Sequence, residues 1–264
     1  MQISFQAEKI QEFHNMLLSH PFNEYRGFTT MYRGFEVPNL DDDVKMSVLH
    51  KLSASNYLQI PSFNEFWAWF RKNHGMKLAA QISEFLFPGN DPECQKTINK
   101  MRNKKTHPFW SHIKARIYKK WCSIVTEAQC VYSMVEGIEK NNFSWKVFAS
   151  AELDAVGIDF VIATEQQIIP IQIKKNSFSM YAKNKKNTDE NLSRFEITKK
   201  AYKVLQKEMT KYKMNQSIGD GMLLKYGLTD DGKLPYMYLS QYENGFVYFK
   251  SEKLMTTFKE CVGD

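Results

Sequence analysis

The spacing of apolar residues changes at about residue 140, and this change constrains the fold more than any other feature. Upstream, apolar residues between Ile113 and Val135 recur every three or four positions, as along one stripe of a helix. Downstream, Ile169, Ile171 and Ile173 occupy alternate positions, as side chains on one side of a strand do. The sequence therefore predicts an α/β (α+β) fold, in which a helical N-terminal half packs on a mixed β-sheet.

Two regions follow from this change. Residues 1–140 are predicted to be mostly helical, with helices over 5–18, over 63–87 with a break at Gly75, and over 112–138. Residues 141–264 are predicted to form the sheet, and the boundary between the two regions is placed between residues 140 and 141. The predicted elements of the second region are strands over 145–150, 158–164 and 168–174, a surface helix over 199–213 and a hairpin turning at Asn244-Gly245.

Charge is concentrated in one segment of the second region. The 264 residues carry a net charge of +7, and residues 174–213 hold twelve basic and four acidic side chains. A local excess of positive charge favours a polyanionic partner, and nucleic acid is the commonest. A lysine-rich surface that contacts only solvent is the alternative reading of the same pattern.

Hydropathy and cysteine usage indicate a cytoplasmic protein that does not cross a membrane. The mean hydropathy is −0.49, and no apolar run reaches 18 residues. Cys94, Cys122, Cys130 and Cys261 form no CxxC pair, so we predict buried thiols rather than disulfides or a zinc site.

The candidate site lies on the hairpin formed by the second and third predicted strands. An antiparallel hairpin centred between Gln166 and Gln167 would place Asp159 opposite Lys174, with Gln172 on the same side as Lys174. A carboxylate, an amide and an ammonium group would then share one face of an otherwise apolar hairpin. An ion pair that only stabilises the hairpin is the alternative.

This arrangement suits phosphodiester hydrolysis. A hard divalent cation needs oxygen ligands, which Asp159 and the backbone carbonyl of Ile173 could supply. Such a cation stabilises charge on the phosphate and lowers the pKa of a bound water, which a neighbouring lysine can orient or deprotonate. Glu152 and Asp154 are two residues apart, so an extended backbone would put both on one side as candidates for a second metal ligand.

The same residues resemble a known family. An acid, then GxD, then an apolar hairpin that ends in QxK resembles the PD-(D/E)xK nuclease superfamily, with Gln172 where an acid is usual. The longer string is similar to the TaqI family of type II restriction endonucleases, most closely over 151–182 and more weakly from about 63 to 258. It reads ELDAVGID, then IQIKK, then SFSMYAK.

The resemblance implies a site and an activity. Asp154 and Asp159 would be the essential carboxylates, Lys174 the catalytic lysine and Gln172 the residue at the degenerate acid position. It implies a sheet of the PD-(D/E)xK type and a Mg²⁺-dependent enzyme that cleaves double-stranded DNA at TCGA, leaving 5′ overhangs. Two departures from the family are a hairpin that is one residue shorter and a lysine-rich segment after Arg194, which could alter the recognition sequence.

DNA contacts are expected from the residues that follow the catalytic strand. Lysines there can reach phosphates, and polar side chains and Arg194 can reach phosphates or base edges. The candidates are Lys175, Asn176, Ser177, Ser179, Tyr181, Lys183, Lys185, Lys186 and Arg194.

A palindromic site implies a homodimer, for which the N-terminal region is the expected interface. A cognate DNA methyltransferase is expected in the same restriction-modification system, because host DNA needs protection. Two other functions fit the same residues: a structure- or methylation-directed nuclease, and a non-catalytic DNA-binding module with the same fold.

Overall fold

The computed structural model describes residues 2–22, 60–86, 96, 108–175, 193–229 and 231–262. Its helices are α1 (Ala7–Ser19), α2 (Phe63–Leu86), α3 (Pro108–Lys140), α4 (Ala151–Asp154), α5 (Lys199–Lys211) and α6 (Ser251–Val262). Its strands are β1 (Gln2–Ile3), β2 (Lys146–Phe148), β3 (Phe160–Ala163), β4 (Gln167–Lys175), β5 (Ser193–Phe195), β6 (Ser217–Ile218), β7 (Gly221–Tyr226), β8 (Leu239–Gln241) and β9 (Val247–Phe249).

The main sheet is mixed, so the predicted fold class is confirmed. Its strand order is β1-β2-β3-β4-β7-β5, and β6 also pairs with β4. Neighbouring strands from β1 to β4 pair antiparallel, whereas β4 and β7 are parallel. Parallel neighbours need a crossover connection, and α5 lies in the segment that joins them. β8 and β9 form a separate two-stranded sheet at the predicted Asn244-Gly245 turn.

α3 is the central helix, and more of it is buried than the predicted stripe. Trp121 and Ile124 pack with α1 and α2, as the stripe predicts. A second row, which includes Cys130 and Met134, packs against the sheet and α6. The one-stripe prediction was too narrow because α3 is covered on two sides.

The predicted helical elements of the N-terminal region are present, with one correction. α2 continues through Gly75, so the predicted break there is wrong. A single glycine costs a helix interior only about 1 kcal/mol relative to alanine. Phe66 and Phe70, which are almost fully buried, hold the N-terminal part of α2 on α3.

α5 covers the face of the sheet opposite to α3. Its buried residues Ala201, Leu205 and Met209 pack against Val161 and Ile168. Thr198 is the N-cap of this helix, and its side chain accepts a hydrogen bond from the Ala201 N–H over 3.2 Å. The predicted surface helix is therefore confirmed.

The β8–β9 hairpin is hydrogen-bonded to both α1 and α3. The Asn244 side chain donates to the carbonyl oxygens of Leu17 (2.6 Å), Leu18 (3.1 Å) and His20 (2.9 Å) at the end of α1. On the other side, the buried Gln129 side chain bonds to both the N–H and the C=O of Phe249. Polar side chains therefore satisfy backbone groups that these elements would otherwise leave without partners.

The described cysteine side chains are buried or half-buried thiols. Cys122 and Cys130 are free, as predicted. Burial raises the pKa of Cys122 to about 12 and that of Cys130 well above its ordinary value. Of the helices in the described ranges, none combines the length and apolarity that a membrane span needs.

Candidate active site

The predicted hairpin forms, but its register differs from the prediction by two residues. Phe160 lies opposite Ile171, which places Asp159 next to Gln172 rather than opposite Lys174. The turn is set by Thr164, whose N–H donates to the Gln167 carbonyl and whose hydroxyl oxygen accepts from the Gln167 N–H. A shift of two residues keeps every side chain on its predicted face, because side chains alternate with a period of two.

Asp159 extends the hairpin with its side chain. Its N–H donates to the Ile171 carbonyl over 2.9 Å, and its Oδ2 accepts from the Ile173 N–H over 2.5 Å. The half-buried carboxylate is thus anchored beside the residue that precedes Lys174. The C=O of Ile173 leaves the strand on the same edge as its N–H, because both backbone groups of a strand residue point to one neighbour.

Gln172 connects β4 to the loop between the two aspartates. Its Nε2 donates to the Gly157 carbonyl oxygen over 2.8 Å. Gly157 has a φ of +83°, and a Cβ placed there would lie 3.1 Å from the same Nε2. Both observations favour glycine at this position. The sequence analysis did not identify Gly157 as a site residue, although its place in the GxD motif could have indicated it.

Asp154 ends a helical turn, which corrects the predicted extended backbone. Ser150 begins α4, and its hydroxyl accepts from the Leu153 N–H over 3.2 Å. Residues two apart in a helix lie about 200° apart around its axis, so Glu152 and Asp154 point in different directions. Glu152 is exposed, whereas Asp154 is half-buried. The two carboxylates therefore do not share one side.

Lys174 and Lys175 project from opposite faces of β4. Lys174 shares the face of Gln172 and aligns with Lys225 on β7, whereas Lys175 aligns with Tyr226. Tyr226 belongs to the core between the sheet and α3, and the charge of Lys175 acts on the Cys122 thiol of α3. Asp159, Gln172 and Lys174 thus come together at one end of the hairpin, and Lys175 lies on the other face.

Arg194 lies at the edge of the main sheet, on β5. Its guanidinium contacts the Asp220 carboxylate over 3.1 Å, and both side chains are about two-thirds exposed, at 67% and 69%. An exposed pair of this kind contributes little to stability. Asn176, Ser177, Ser179, Tyr181, Lys183, Lys185 and Lys186, the remaining predicted DNA contacts, lie outside the described residues.

The donor set at the end of the hairpin fits Mg²⁺. In proteins this ion is bound by one or two carboxylates and keeps several waters or phosphate oxygens. The anchored Asp159 carboxylate and the Ile173 carbonyl, with Asp154 on the preceding turn, could supply such oxygens. A site of this kind needs no cluster of three acidic, histidine or cysteine side chains, and the described residues contain no such cluster.

Comparison with known proteins gives the family. The model of the TaqI restriction endonuclease family matches residues 10–262, nearly the whole chain. The chain belongs to the TaqI restriction endonuclease family. Neither the curated proteins nor the solved structures contain a significant match. Membership in the TaqI family supports a type II restriction endonuclease that binds double-stranded DNA, and it confirms the resemblance that ELDAVGID and IQIKK indicated.

Proposed function

We propose that this chain is a Mg²⁺-dependent type II restriction endonuclease that cleaves double-stranded DNA at TCGA and leaves 5′ overhangs. The observation that carries the proposal is the anchored Asp159 carboxylate, beside Ile173 and on the hairpin end that presents Gln172 and Lys174. The β2–β3–β4 meander, the α5 crossover and the parallel β7 strand also support a PD-(D/E)xK core.

The residues of the site have distinct roles in this proposal. Asp159, Asp154 and the Ile173 carbonyl would hold Mg²⁺. When bound, the ion supplies positive charge that stabilises the transition state of phosphodiester hydrolysis. Lys174 is exposed on the same face, where its ammonium group can orient the attacking water. Gln172 acts through Gly157 and so positions the loop that joins Asp154 to Asp159.

The enzyme is proposed to act in the cytoplasm as a homodimer, because a palindromic DNA site is matched most simply by two-fold protein symmetry. The N-terminal helices are the proposed dimer interface, since the hairpin end must remain open to DNA. A cognate methyltransferase is proposed as the second component of the system, because an active nuclease would otherwise cut host DNA.

A digest of unmethylated phage DNA with purified protein and Mg²⁺, followed by sequencing of the ends, tests the proposal. We expect discrete ends at TCGA with 5′ overhangs, and no cleavage in EDTA. Discrete ends at another sequence would retain the chemistry and assign altered specificity to the segment after Arg194. Nicking or a smear would favour a structure- or methylation-directed nuclease. Tight binding without cleavage would favour a non-catalytic DNA-binding module.

A further inference from the structure

The exposed side of α5 carries an excess of positive charge. Five lysines lie on this helix, which contains a single acidic residue. That residue, Glu208, is only 3% exposed, and it pairs with Lys211 over 3.5 Å. The five lysines of α5 form its lysine face: Lys199, Lys200, Lys203, Lys207 and Lys211.

The spacing within the lysine face is unfavourable for the helix itself. Lys199, Lys203, Lys207 and Lys211 follow one another every four residues, and like charges at this spacing destabilise a helix. Exposed α5 positions do not need lysine for packing, because Ala201, Leu205 and Met209 make the contacts with the sheet. A partner with closely spaced negative charges would offset the repulsion.

The lysine face lies on the same side of the sheet as the candidate active site. α5 packs against α4, the turn that carries Asp154. Gln172 and Lys174 project from this side of β4 as well. The positive surface therefore adjoins α4, the turn that carries Asp154, on the side of the sheet from which Gln172 and Lys174 project.

We propose that the lysine face binds backbone phosphates of the DNA duplex that flank the cleaved bond. This inference rests on the proposed function, because it takes the position of the scissile phosphate from the active site. The four lysines spaced four residues apart, from Lys199 to Lys211, span about 18 Å at 1.5 Å per residue. That length corresponds to about five base-pair steps of a DNA duplex along its axis, at 3.4 Å per step. Such contacts increase affinity for all sequences alike.

A pair of charge-matched double variants tests the surface. Lys203→Gln/Lys207→Gln removes two charges from the lysine face. The control, Lys250→Gln/Lys253→Gln, removes two exposed charges at α6, which packs with α3 on the opposite face of the sheet from α5. DNA binding is measured with Ca²⁺ by fluorescence anisotropy over a series of salt concentrations. We expect the slope of log affinity against log salt to become less steep by up to about 1.8 in the first variant only. The Lys250→Gln/Lys253→Gln control should bind and cleave DNA as the wild type does.

Duplex length gives a second readout. The effect of Lys203→Gln/Lys207→Gln should be present on a long duplex and should decrease when the flanks of the cleavage site are trimmed. Equal slopes for the first variant and the wild type would overturn the inference and leave the lysine face as a solvated surface. The inference would also be overturned if Lys203→Gln/Lys207→Gln weakened binding to single-stranded RNA or to an acidic protein but left the affinity for duplex DNA unchanged.

The two proposals fail in distinguishable ways. Wild-type protein that does not cleave DNA with Mg²⁺ contradicts the proposed function, whereas a salt slope insensitive to the lysine face contradicts only this inference. Circular dichroism and the melting temperature check folding. If the double variant does not fold, Lys203→Gln alone is measured, with an expected change in slope of up to about 0.9.

Discussion

Gln172 donates its side-chain amide to the Gly157 carbonyl oxygen over 2.8 Å, which joins β4 to the loop between Asp154 and Asp159. An amide can make this bond, and an ionised carboxylate cannot, because it has no donor. The position to which the resemblance assigns the degenerate acid therefore holds a residue with a structural contact of its own.

The first prediction concerns this contact. Gln172→Glu restores the acid of the motif, but it places a carboxylate against a carbonyl oxygen and removes the donor. We expect cleavage to decrease at least tenfold and the free energy of unfolding to decrease by about 1–3 kcal/mol. Single-turnover cleavage and urea unfolding measure the two effects. Gln166→Glu, at the exposed turn of the same hairpin, is the control for added charge. Wild-type cleavage by Gln172→Glu would contradict the positioning role.

The second prediction uses two glycines with similar backbone angles. Gly157 and Gly232 have φ values of +83° and +79°, but only a Cβ at Gly157 would contact another group within 4 Å. Alanine at either position should cost about 1–2 kcal/mol of stability from the backbone conformation. Only Gly157→Ala should also slow cleavage, because its Cβ would lie 3.1 Å from the Gln172 amide and would shift it against the Gly157 carbonyl. Equal activity of the two variants would show that the contact does not matter for catalysis.

The third prediction tests the proposed catalytic residues. Asp159→Asn keeps an oxygen that can accept from the Ile173 N–H, so the fold should persist while the carboxylate charge is lost. We expect cleavage to fall by more than about a thousandfold, since a charge near the transition state is worth several kcal/mol. Lys174→Ala should do the same, and both variants should still bind DNA with Ca²⁺.

Lys225→Ala is the matched control, because Lys225 aligns with Lys174 on the adjacent strand. It should retain cleavage. A wild-type cleavage rate in Asp159→Asn or Lys174→Ala would refute the assignment of the active site.

The fourth prediction concerns the three hydrogen bonds of Asn244 to the end of α1. Asn244→Ala should lower the free energy of unfolding by about 1–3 kcal/mol, because the carbonyl groups lose their donor. The cleavage rate of the folded protein should be unchanged, since Asn244 belongs to the β8–β9 hairpin and the candidate active site to the β3–β4 hairpin. Asn73→Ala removes one exposed bond within α2 and should change stability by less than about 0.5 kcal/mol.

The fifth prediction concerns alkaline pH. The pKa of Cys122 is about 12 in the folded protein, against 9.0 for an ordinary thiol. The folded state therefore holds this proton more tightly than the unfolded state does. Its contribution to stability is complete below pH 9.0 and decreases as the pH rises from there towards 12. Each pH unit in this window should cost up to about 1.4 kcal/mol.

Urea unfolding of the wild type and of Cys122→Ala, measured between pH 8 and 11, checks the prediction. The variant should lose stability with a shallower slope. Parallel slopes would mean that the thiol titrates alike in the folded and unfolded states.

The sequence predicted the elements of the site better than their pairing. The two strands of the hairpin and the common face of Gln172 and Lys174 follow from alternation alone. The register does not, because the turn lacks an Asn-Gly or Asp-Gly signal, and the bonds of Thr164 determine its position. Because of this difference in register, Asp159 contacts the backbone N–H of Ile173 and does not lie opposite Lys174 as predicted.

Short elements and long-range pairing were harder to predict. α4 has four residues, too few to show a helical period, although Ser150 carried a capping signal. β7 was not predicted at all, since its parallel pairing with β4 spans a connection that includes α5. A strand that pairs with a partner far away in the sequence leaves only its own apolar residues as a signal, and these are not enough to predict the pairing.

The tie between Asn244 and the end of α1 also bears on when the enzyme becomes complete during its synthesis. Leu17 and Asn244 are 227 residues apart in the chain. At 5–20 residues per second, the ribosome adds the second about 10–45 s after the first. Until then the last carbonyl groups of α1 have no partner from the hairpin, and β9 and α6 cannot cover α3. A nascent chain that stops before residue 244 therefore cannot complete this fold, even though β4 has already been made.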